Sequence, residues 1–145
     1  MGLDMYLNKK TFIGAEYKHR NVTGTIDIKV EGKPVKVDFD KVTYIVEKAG
    51  YWRKANAIHN WFVTNVQDGV DDCKEYYVDY DQLQDLKKLC EKIIETKDGS
   101  LMPPTSGFFF GSTEVDDYYF GDLMATIEIL NNLDPDSEYT YQSSW

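Results

Sequence analysis

The spacing of the apolar residues changes along this chain, and that change constrains the fold more than any other feature of the sequence. Residues 25–30 and 35–39 alternate between apolar and polar side chains, which is the period of a β-strand with one buried face. The four residues between them, Glu-Gly-Lys-Pro at 31–34, have the composition of a tight turn. These segments therefore predict an antiparallel β-hairpin.

Three later segments, residues 52–66, 81–96 and 114–132, repeat with the period of an α-helix. In the first, apolar side chains recur on one face at Ala55, Ile58, Phe62 and Val66. Before the second, Asp79 is followed three residues later by Gln82, which is the order of a capping box. The third ends ahead of Pro135, a residue that stops a helix.

Shorter segments predict further strands at residues 2–7, 42–47, 75–78, 108–110 and 138–142. Together these elements predict an α+β fold in which a mainly antiparallel sheet is covered by about three helices. A length of 145 residues fits one domain, and no linker or internal repeat interrupts it. The sequence therefore predicts a single domain over residues 1–145.

Acidic residues are concentrated in the second half of the chain. Residues 1–67 carry 11 Lys and Arg against 7 Asp and Glu, whereas residues 68–145 carry 5 against 18. A net charge of −9 argues against nucleic acid as a partner, because affinity for phosphates rests largely on basic side chains. The acidic surface either keeps the protein in solution or faces a basic protein partner.

Cysteine use and hydropathy narrow the class of protein. Two cysteines, Cys73 and Cys90, are too few for the disulfide framework of a secreted scaffold. No apolar run approaches the ~18 residues of a membrane span, and residues 1–7 lack the pattern of a signal peptide. We expect a soluble protein of the bacterial host cytoplasm, with no membrane partner. Two histidines and two cysteines show no metal-site spacing, so no metal, cofactor or catalytic set is predicted.

Polar residues flank the apolar face of the first predicted helix. Trp52, Asn56 and His59 recur along one edge at helical spacing, and Arg53 and Asn60 lie beside them. Arginine binds phosphate or carboxylate through its planar fork, and tryptophan stacks on rings. The edge predicts either a ligand-binding site or a polar cluster that is satisfied within the protein and holds the helix on the sheet.

The segment 105–113, Thr-Ser-Gly-Phe-Phe-Phe-Gly-Ser-Thr, is the second unusual feature. Gly107 and Gly111 bracket three phenylalanines. Side chains alternate along a strand, so Phe109 is expected to face away from its neighbours, either under a helix or in the wall of a pocket. Ser112 precedes a predicted helix, where it acts as an ordinary cap or where the backbone N–H groups bind an anion. We predict that Gly107, Phe109 and Ser112 belong to the same site as the helix edge.

Trp61 lies opposite the apolar face of the first predicted helix. A large exposed aromatic side chain indicates a contact surface, unless a loop or the C-terminal segment covers it. The sequence therefore predicts Trp61 as an interface residue of a two-fold homodimer.

Four stretches stand out together: residues 1–7 (MGLDMYL), 50–62 (GYWRKANAIHNWF), 106–112 (SGFFFGS) and 141–145 (YQSSW). They resemble a family of small uncharacterised proteins encoded by bacteriophages, prophages and gut bacteria. The resemblance spans nearly the whole chain. It implies an intracellular accessory protein of phage origin, and it implies no catalytic residues.

Three functional hypotheses follow from these residues. The first is an accessory protein that binds a small anionic or nucleotide-like ligand, in a sequestering or counter-defence role, through Trp52, Arg53, Asn56, His59, Asn60, Gly107, Phe109 and Ser112. The second is a protein–protein interaction module, an inhibitor of a host or defence protein, that uses the acidic C-terminal half. The third is a hydrolase or nuclease-like enzyme with His59 as general base and Arg53 as electrophile.

Overall fold

The computed structural model of the protein describes residues 2–107 and 109–145. Its strands are β1 (Asp4–Phe12), β2 (Ile28–Val30), β3 (Lys33–Val35), β4 (Tyr44–Arg53), β5 (Tyr76–Val78) and β6 (Glu138–Ser144). Its α-helices are α1 (Asn56–Asn65), α2 (Tyr80–Thr96) and α3 (Asp117–Asn131). Single 3₁₀ turns occupy Lys18–Arg20, Phe39–Lys41 and Gly99–Leu101.

The elements form a four-stranded sheet in the order β4-β1-β6-β5 and a separate two-stranded sheet of β2 and β3. Strands β5 and β6 pair antiparallel, with Tyr76 opposite Tyr141, and β2 and β3 also pair antiparallel. Three helices and a mainly antiparallel sheet confirm the predicted α+β class. None of the helices in the described residues is both long and apolar enough to cross a membrane.

The contacts group the chain into two compact units, residues 1–9 with 48–145 and residues 10–47. We call these the first unit and the second unit. Strands β1 and β4 each contribute residues to both. This division into units does not test the prediction that residues 1–145 form a single domain, which stays a prediction.

The apolar core lies in the first unit. Alternation along the start of the chain places Leu3, Met5 and Leu7 in it, each with no exposed surface. Helix α2 contributes one face, formed by Leu83, Leu86, Cys90 and Ile93, and packs against α3. The predicted capping box of Asp79 and Gln82 is present and begins α2 at the next residue, which satisfies two backbone donors at that end.

The second unit contains the predicted hairpin in a shorter form. Glu31 and Gly32 both take positive φ, at 51° and 78°, as the two central residues of a type I′ turn require. Alternation predicted strands over 25–30 and 35–39 with one buried face, but β2 and β3 have three residues each and every one of them is exposed. In residues 10–47, all of which the structure describes, Gly14 alone is buried.

Two predicted elements differ from the structure in kind. Residues 108–110 were expected to be a buried strand, but Phe109 lies in a turn with φ of 64° and the Phe110 N–H donates to the Gly107 carbonyl at 3.2 Å. Phe108 lies outside the described residues. The first helix was expected over 52–66, whereas α1 begins at Asn56, because β4 continues to Arg53 and Lys54 then takes a left-handed conformation with φ of 57°.

Strand β4 passes close under α3 at Gly50. A Cβ atom at Gly50 would lie 2.6 Å from Cγ2 of Ile129, a distance that forces either the strand or the helix to move. Glycine at this position therefore lets the helix pack onto the sheet.

We expect Gly50→Ala to lower the free energy of unfolding by about 1–3 kcal/mol through this overlap. Gly121→Ala, on α3, is the matched control: a Cβ there meets nothing within 4 Å, so the higher helix propensity of alanine should raise stability by about 0.5–1 kcal/mol. Urea unfolding followed by circular dichroism measures both. Equal effects of the two variants would contradict the close approach.

Candidate functional site

The junction between β4 and α1 brings the site together. The Lys54 N–H donates to the Leu3 carbonyl at 2.7 Å, and the Lys54 carbonyl accepts from the Asn56 N–H at 2.9 Å. The chain therefore turns within two residues from the edge strand into the helix. Trp52 and Arg53 lie on β4 rather than on the helix, so the turn, and not helical spacing, sets them beside Asn56.

Trp52 holds the sheet to α3. Its side chain is buried at 4% exposure, and its indole Nε1–H donates to the Thr126 hydroxyl at 2.8 Å. Its ring meets Phe62 edge-on with centroids 5.9 Å apart. The Trp52 side chain therefore makes both its polar and its apolar contacts within the protein.

Asn56 clamps the glycine-rich segment that precedes α3. Its Nδ2 donates to the carbonyls of Phe110 at 3.0 Å and Ser112 at 2.8 Å, and its Oδ1 accepts from the Thr105 N–H at 2.9 Å. The structure therefore brings Asn56 and Ser112 together, as predicted for a shared site. The amide is satisfied by the backbone, however, and it positions the loop instead of offering free groups to a ligand.

His59 is the centre of a buried polar network. It is 1% exposed, its Nδ1 lies 2.6 Å from the Tyr141 hydroxyl and its Nε2 lies 3.0 Å from Oδ2 of Asp71. The other carboxylate oxygen of Asp71 accepts from the indole N–H of Trp145 at 3.0 Å. The Tyr141 ring stacks on Phe62 with centroids 3.8 Å apart.

The carboxylate of Asp71 fixes one donor in this network. A carboxylate only accepts, so Nε2 of His59 carries a hydrogen and donates to Asp71. Burial, followed by the charges of Asp71 and Cys73, raises the pKa of Tyr141 well above its usual value, so the hydroxyl bonded to Nδ1 keeps its proton. Both ring nitrogens are engaged, and the network joins α1, the 66–75 loop and β6.

Sequence reasoning missed Asp71, Tyr141 and Trp145. They lie 12, 82 and 86 residues from His59 in the chain, and no motif links such distances. The one usable signal was that a buried histidine needs partners for both nitrogens, which does not say where in the sequence those partners lie.

A cleft of about 250 Å³ opens beside this network, at the start of α1. Its walls come from the β4–α1 turn, the first residues of α1, the segment around Gly111 and Ser112, and the first turns of α3. Of the sequence-predicted site residues, Arg53, Asn56 and Ser112 line it, whereas His59 and Trp52 do not.

Two cationic side chains lie on the β4–α1 side of the cleft. Arg53 was expected at a buried edge, but its side chain is 54% exposed and pairs with Asp4 at 3.6 Å. Its charge therefore has a partner without a ligand. Lys54 has no hydrogen bond or ion pair from its ammonium group to any of the described residues, and Gly111 approaches its side chain closely enough that a Cβ there would lie 3.2 Å from the Lys54 Cβ.

The N-terminus of α1 opens into the same cleft without a side-chain cap. Ala55 occupies the N-cap position and its side chain supplies no capping hydrogen bond, whereas Asp79 caps α2 and Asp116 caps α3. Ala57 and Ile58 line the cleft, and no hydrogen bond from their N–H groups occurs within residues 2–107 and 109–145. The unpaired amides and the helix dipole make this end electropositive.

Asp122, on α3, also lines the cleft, as do the acidic residues Glu114 and Asp116. No hydrogen bond or ion pair to its carboxylate occurs among the described residues. Burial, assisted by the negative charge of Asp116, raises the pKa of Asp122 to about 6. Asp122 therefore gains its negative charge as the pH rises through about 6.

The remaining predicted site residues do not line the cleft. Asn60 and Trp61 are half-buried on α1 and do not line the cleft. Phe109 is 42% exposed. A Cβ at Gly107 would lie 2.5 Å from the Phe110 ring, so glycine at this position permits the tight loop that Asn56 clamps. Trp61 packs edge-on against Phe62 with centroids 5.2 Å apart, and its assignment as an interface residue stays a prediction.

Comparison of the chain with protein-family models, with curated proteins and with solved structures produced no match. The resemblance to phage-encoded proteins consequently stays a prediction, and the argument for function rests on the geometry of the cleft.

We expect Tyr141→Phe to lower the free energy of unfolding by about 1–3 kcal/mol. The ring and its stacking on Phe62 are retained, but Nδ1 of a buried histidine loses its hydrogen bond. Tyr118→Phe, at an 84% exposed position, is the control and should change stability by less than about 0.5 kcal/mol. Chemical denaturation of both variants tests this, and a neutral Tyr141→Phe would show that the network contributes little.

Asp122→Asn should change the dependence of stability on pH. A carboxyl whose pKa is raised to about 6 in the folded state stabilises the protein at low pH and loses that contribution as the pH rises through about 4 to 6. With allowance for solvent screening, the variant should gain about 1 kcal/mol relative to the parent between pH 4 and pH 8.

Thermal unfolding at a series of pH values measures this gain. Glu128→Gln, an exposed position on the same helix, controls for the loss of one negative charge. Parallel stability curves for the parent and Asp122→Asn would contradict the raised pKa.

Proposed function

We propose that this protein binds a small anionic ligand, of the class that includes nucleotides and other phosphate- or carboxylate-bearing molecules, in the cleft at the start of α1. The observation that carries the proposal is the uncapped N-terminus of α1, which opens into the cleft beside Lys54, whose ammonium group has no partner among the residues that the structure describes. Two unpaired N–H groups, a helix dipole and a cation at one place attract negative charge.

Three other residues shape the walls of the cleft around the start of α1. Asn56 fixes the backbone around Ser112, so the loop wall of the cleft is held before any ligand arrives. Gly111, with φ of 89°, keeps that wall free of a side chain next to Lys54. Tyr118, 84% exposed and on the α3 side of the cleft, offers a ring surface on which a base or another planar group can stack.

The structure favours binding over catalysis at this place. His59, the general base of the enzyme hypothesis, has both nitrogens bonded within the chain and does not reach the cleft. A general base must lie within hydrogen-bond reach of the proton that it removes. Sequestering of the ligand inside a bacterial host cell, in line with the resemblance to phage-encoded proteins, is part of the proposal.

The test is isothermal titration calorimetry with sulfate, inorganic phosphate and nucleoside mono- and triphosphates. We expect at least one of them to bind the parent protein, and Lys54→Met to weaken that binding about tenfold, since a charged hydrogen bond contributes about 1.5–3 kcal/mol. Lys88→Met removes an exposed lysine from α2 that does not line the cleft, and it should bind as the parent does.

Two outcomes would overturn the proposal. One is that none of the anions binds the parent protein. The other is that Lys54→Met binds as tightly as Lys88→Met, which would place the anion elsewhere. Because Lys54 makes no hydrogen bond or ion pair through its side chain within the described residues, loss of binding by Lys54→Met should occur with near-normal thermal stability, which the same samples report.

A further inference from the structure

The cleft at the start of α1 carries charges of both signs. The turn from β4 into α1 supplies the cations Arg53 and Lys54. The segment before α3 and the first turns of that helix supply the acidic residues Glu114, Asp116 and Asp122. A ligand that carries only negative charge is therefore attracted by one part of the cleft and repelled by another.

Two of these charges already have partners within the protein. Arg53 pairs with Asp4 at 3.6 Å. Asp116 caps α3, where its carboxylate accepts a hydrogen bond from the Tyr119 N–H at 3.1 Å. Both groups therefore attract a ligand less strongly than a charged group without a partner does.

Asp122 is the acidic group of the cleft that most needs a cationic partner. It is half-buried, and its carboxylate has no hydrogen bond or ion pair to any residue that the structure describes. Glu114, by contrast, is exposed and is solvated by water. The pKa of Asp122, raised to about 6 by burial and by the charge of Asp116, reflects a charged form that lacks compensation. A cationic group of a ligand would supply that compensation.

Hydrogen bonds between β4 and α3 hold Asp122 in place. The indole N–H of Trp52 donates to the Thr126 hydroxyl at 2.8 Å, and that hydroxyl donates to the Asp122 carbonyl at 2.6 Å. Lys54 follows Trp52 by two residues. The cation and the carboxylate that lack partners among the described residues are thus positioned in one cleft by bonds that use neither of their side chains.

We propose, as an extension of the proposed function, that the ligand of this cleft is a small zwitterion. Its phosphate or carboxylate group binds at Lys54 and the start of α1, and its ammonium group binds at Asp122. Such a ligand turns the repulsion by the acidic residues into attraction. The cleft volume of about 250 Å³ lies below the ~300–1,000 Å³ of pockets for drug-sized ligands, which favours a small molecule over a nucleoside triphosphate.

The experiment uses pairs of probes that differ by the ammonium group alone. Isothermal titration calorimetry at about pH 7.5, above the pKa of Asp122 of about 6, compares 3-aminopropyl phosphate with propyl phosphate and β-alanine with propanoate. In at least one pair, the probe with the ammonium group should bind the parent protein about tenfold more tightly. The pair that shows this preference identifies the anionic group of the ligand.

Asp122→Asn should change the binding of the two probes of that pair in opposite directions. The variant removes the partner of the ammonium group, so the zwitterion should bind about tenfold more weakly. It also removes a negative charge from the cleft, so the purely anionic probe should bind more tightly. Damage to the fold would instead weaken both. Asp117→Asn removes the same charge from an exposed position on α3 that does not line the cleft, and it should keep the preference of the parent.

Any of three results would overturn this inference. The parent shows no preference for the zwitterion in either pair, Asp122→Asn keeps the preference, or Asp117→Asn loses it to the same extent as Asp122→Asn. In each case the proposed function stands if Lys54→Met still weakens the binding of a purely anionic probe. If no anion and no zwitterion binds the parent protein, the proposed function fails, and this inference fails with it.

Discussion

The left-handed backbone of Lys54 is the feature on which the rest of the site depends. Positive φ is uncommon for a residue with a side chain, and here two backbone hydrogen bonds, to Leu3 and from Asn56, hold the residue in it. Because the chain turns so tightly, the last residues of β4 and the first residues of α1 meet in one place. The position of the uncapped helix end, the place of Lys54 on the wall of the cleft and the clamp made by Asn56 all follow from this turn.

Two buried polar residues of the first unit have no group left to offer a ligand, although one of them, Asn56, lines the cleft. Asn56 and His59 are satisfied by protein partners, and a buried polar group without such partners would cost about 1–3 kcal/mol. Their role is to hold elements together: Asn56 holds the loop before α3, and His59 connects α1 to β6 through Tyr141. At the cleft, the ammonium group of Lys54, the carboxylate of Asp122 and the N–H groups of Ala57 and Ile58 have no hydrogen-bond or ion-pair partner within residues 2–107 and 109–145. Away from the cleft, the buried side-chain oxygens of Gln67, Thr140 and Ser143 have no such partner among the same residues. A ligand site is expected among unsatisfied groups, which is why the cleft and not the histidine network carries the proposed function.

The two units distribute charge and apolar surface in opposite ways. The first unit buries its apolar residues and carries the acidic excess, whereas the second unit is nearly neutral and exposes its aliphatic side chains.

The sequence by itself was enough to predict the elements whose signals are local. The hairpin followed from alternation and its turn, α2 from the capping box of Asp79 and Gln82, and the core faces of α2 and α3 from helical spacing, because each depends on residues within a few positions of one another. The polar residues near the start of α1 were also identified, with Asn56 and Ser112 correctly brought together.

What only the tertiary structure decided was which of those residues already have hydrogen-bond partners within the protein. The partners of His59 lie 12 and 82 residues away, and the start of α1 was moved by a backbone turn that no propensity indicates. The exposure of β2 and β3 depends on whether another layer of the fold covers them. Burial and hydrogen-bond satisfaction are set by residues distant in the chain, so they are properties of the packed molecule and cannot be read from spacing alone.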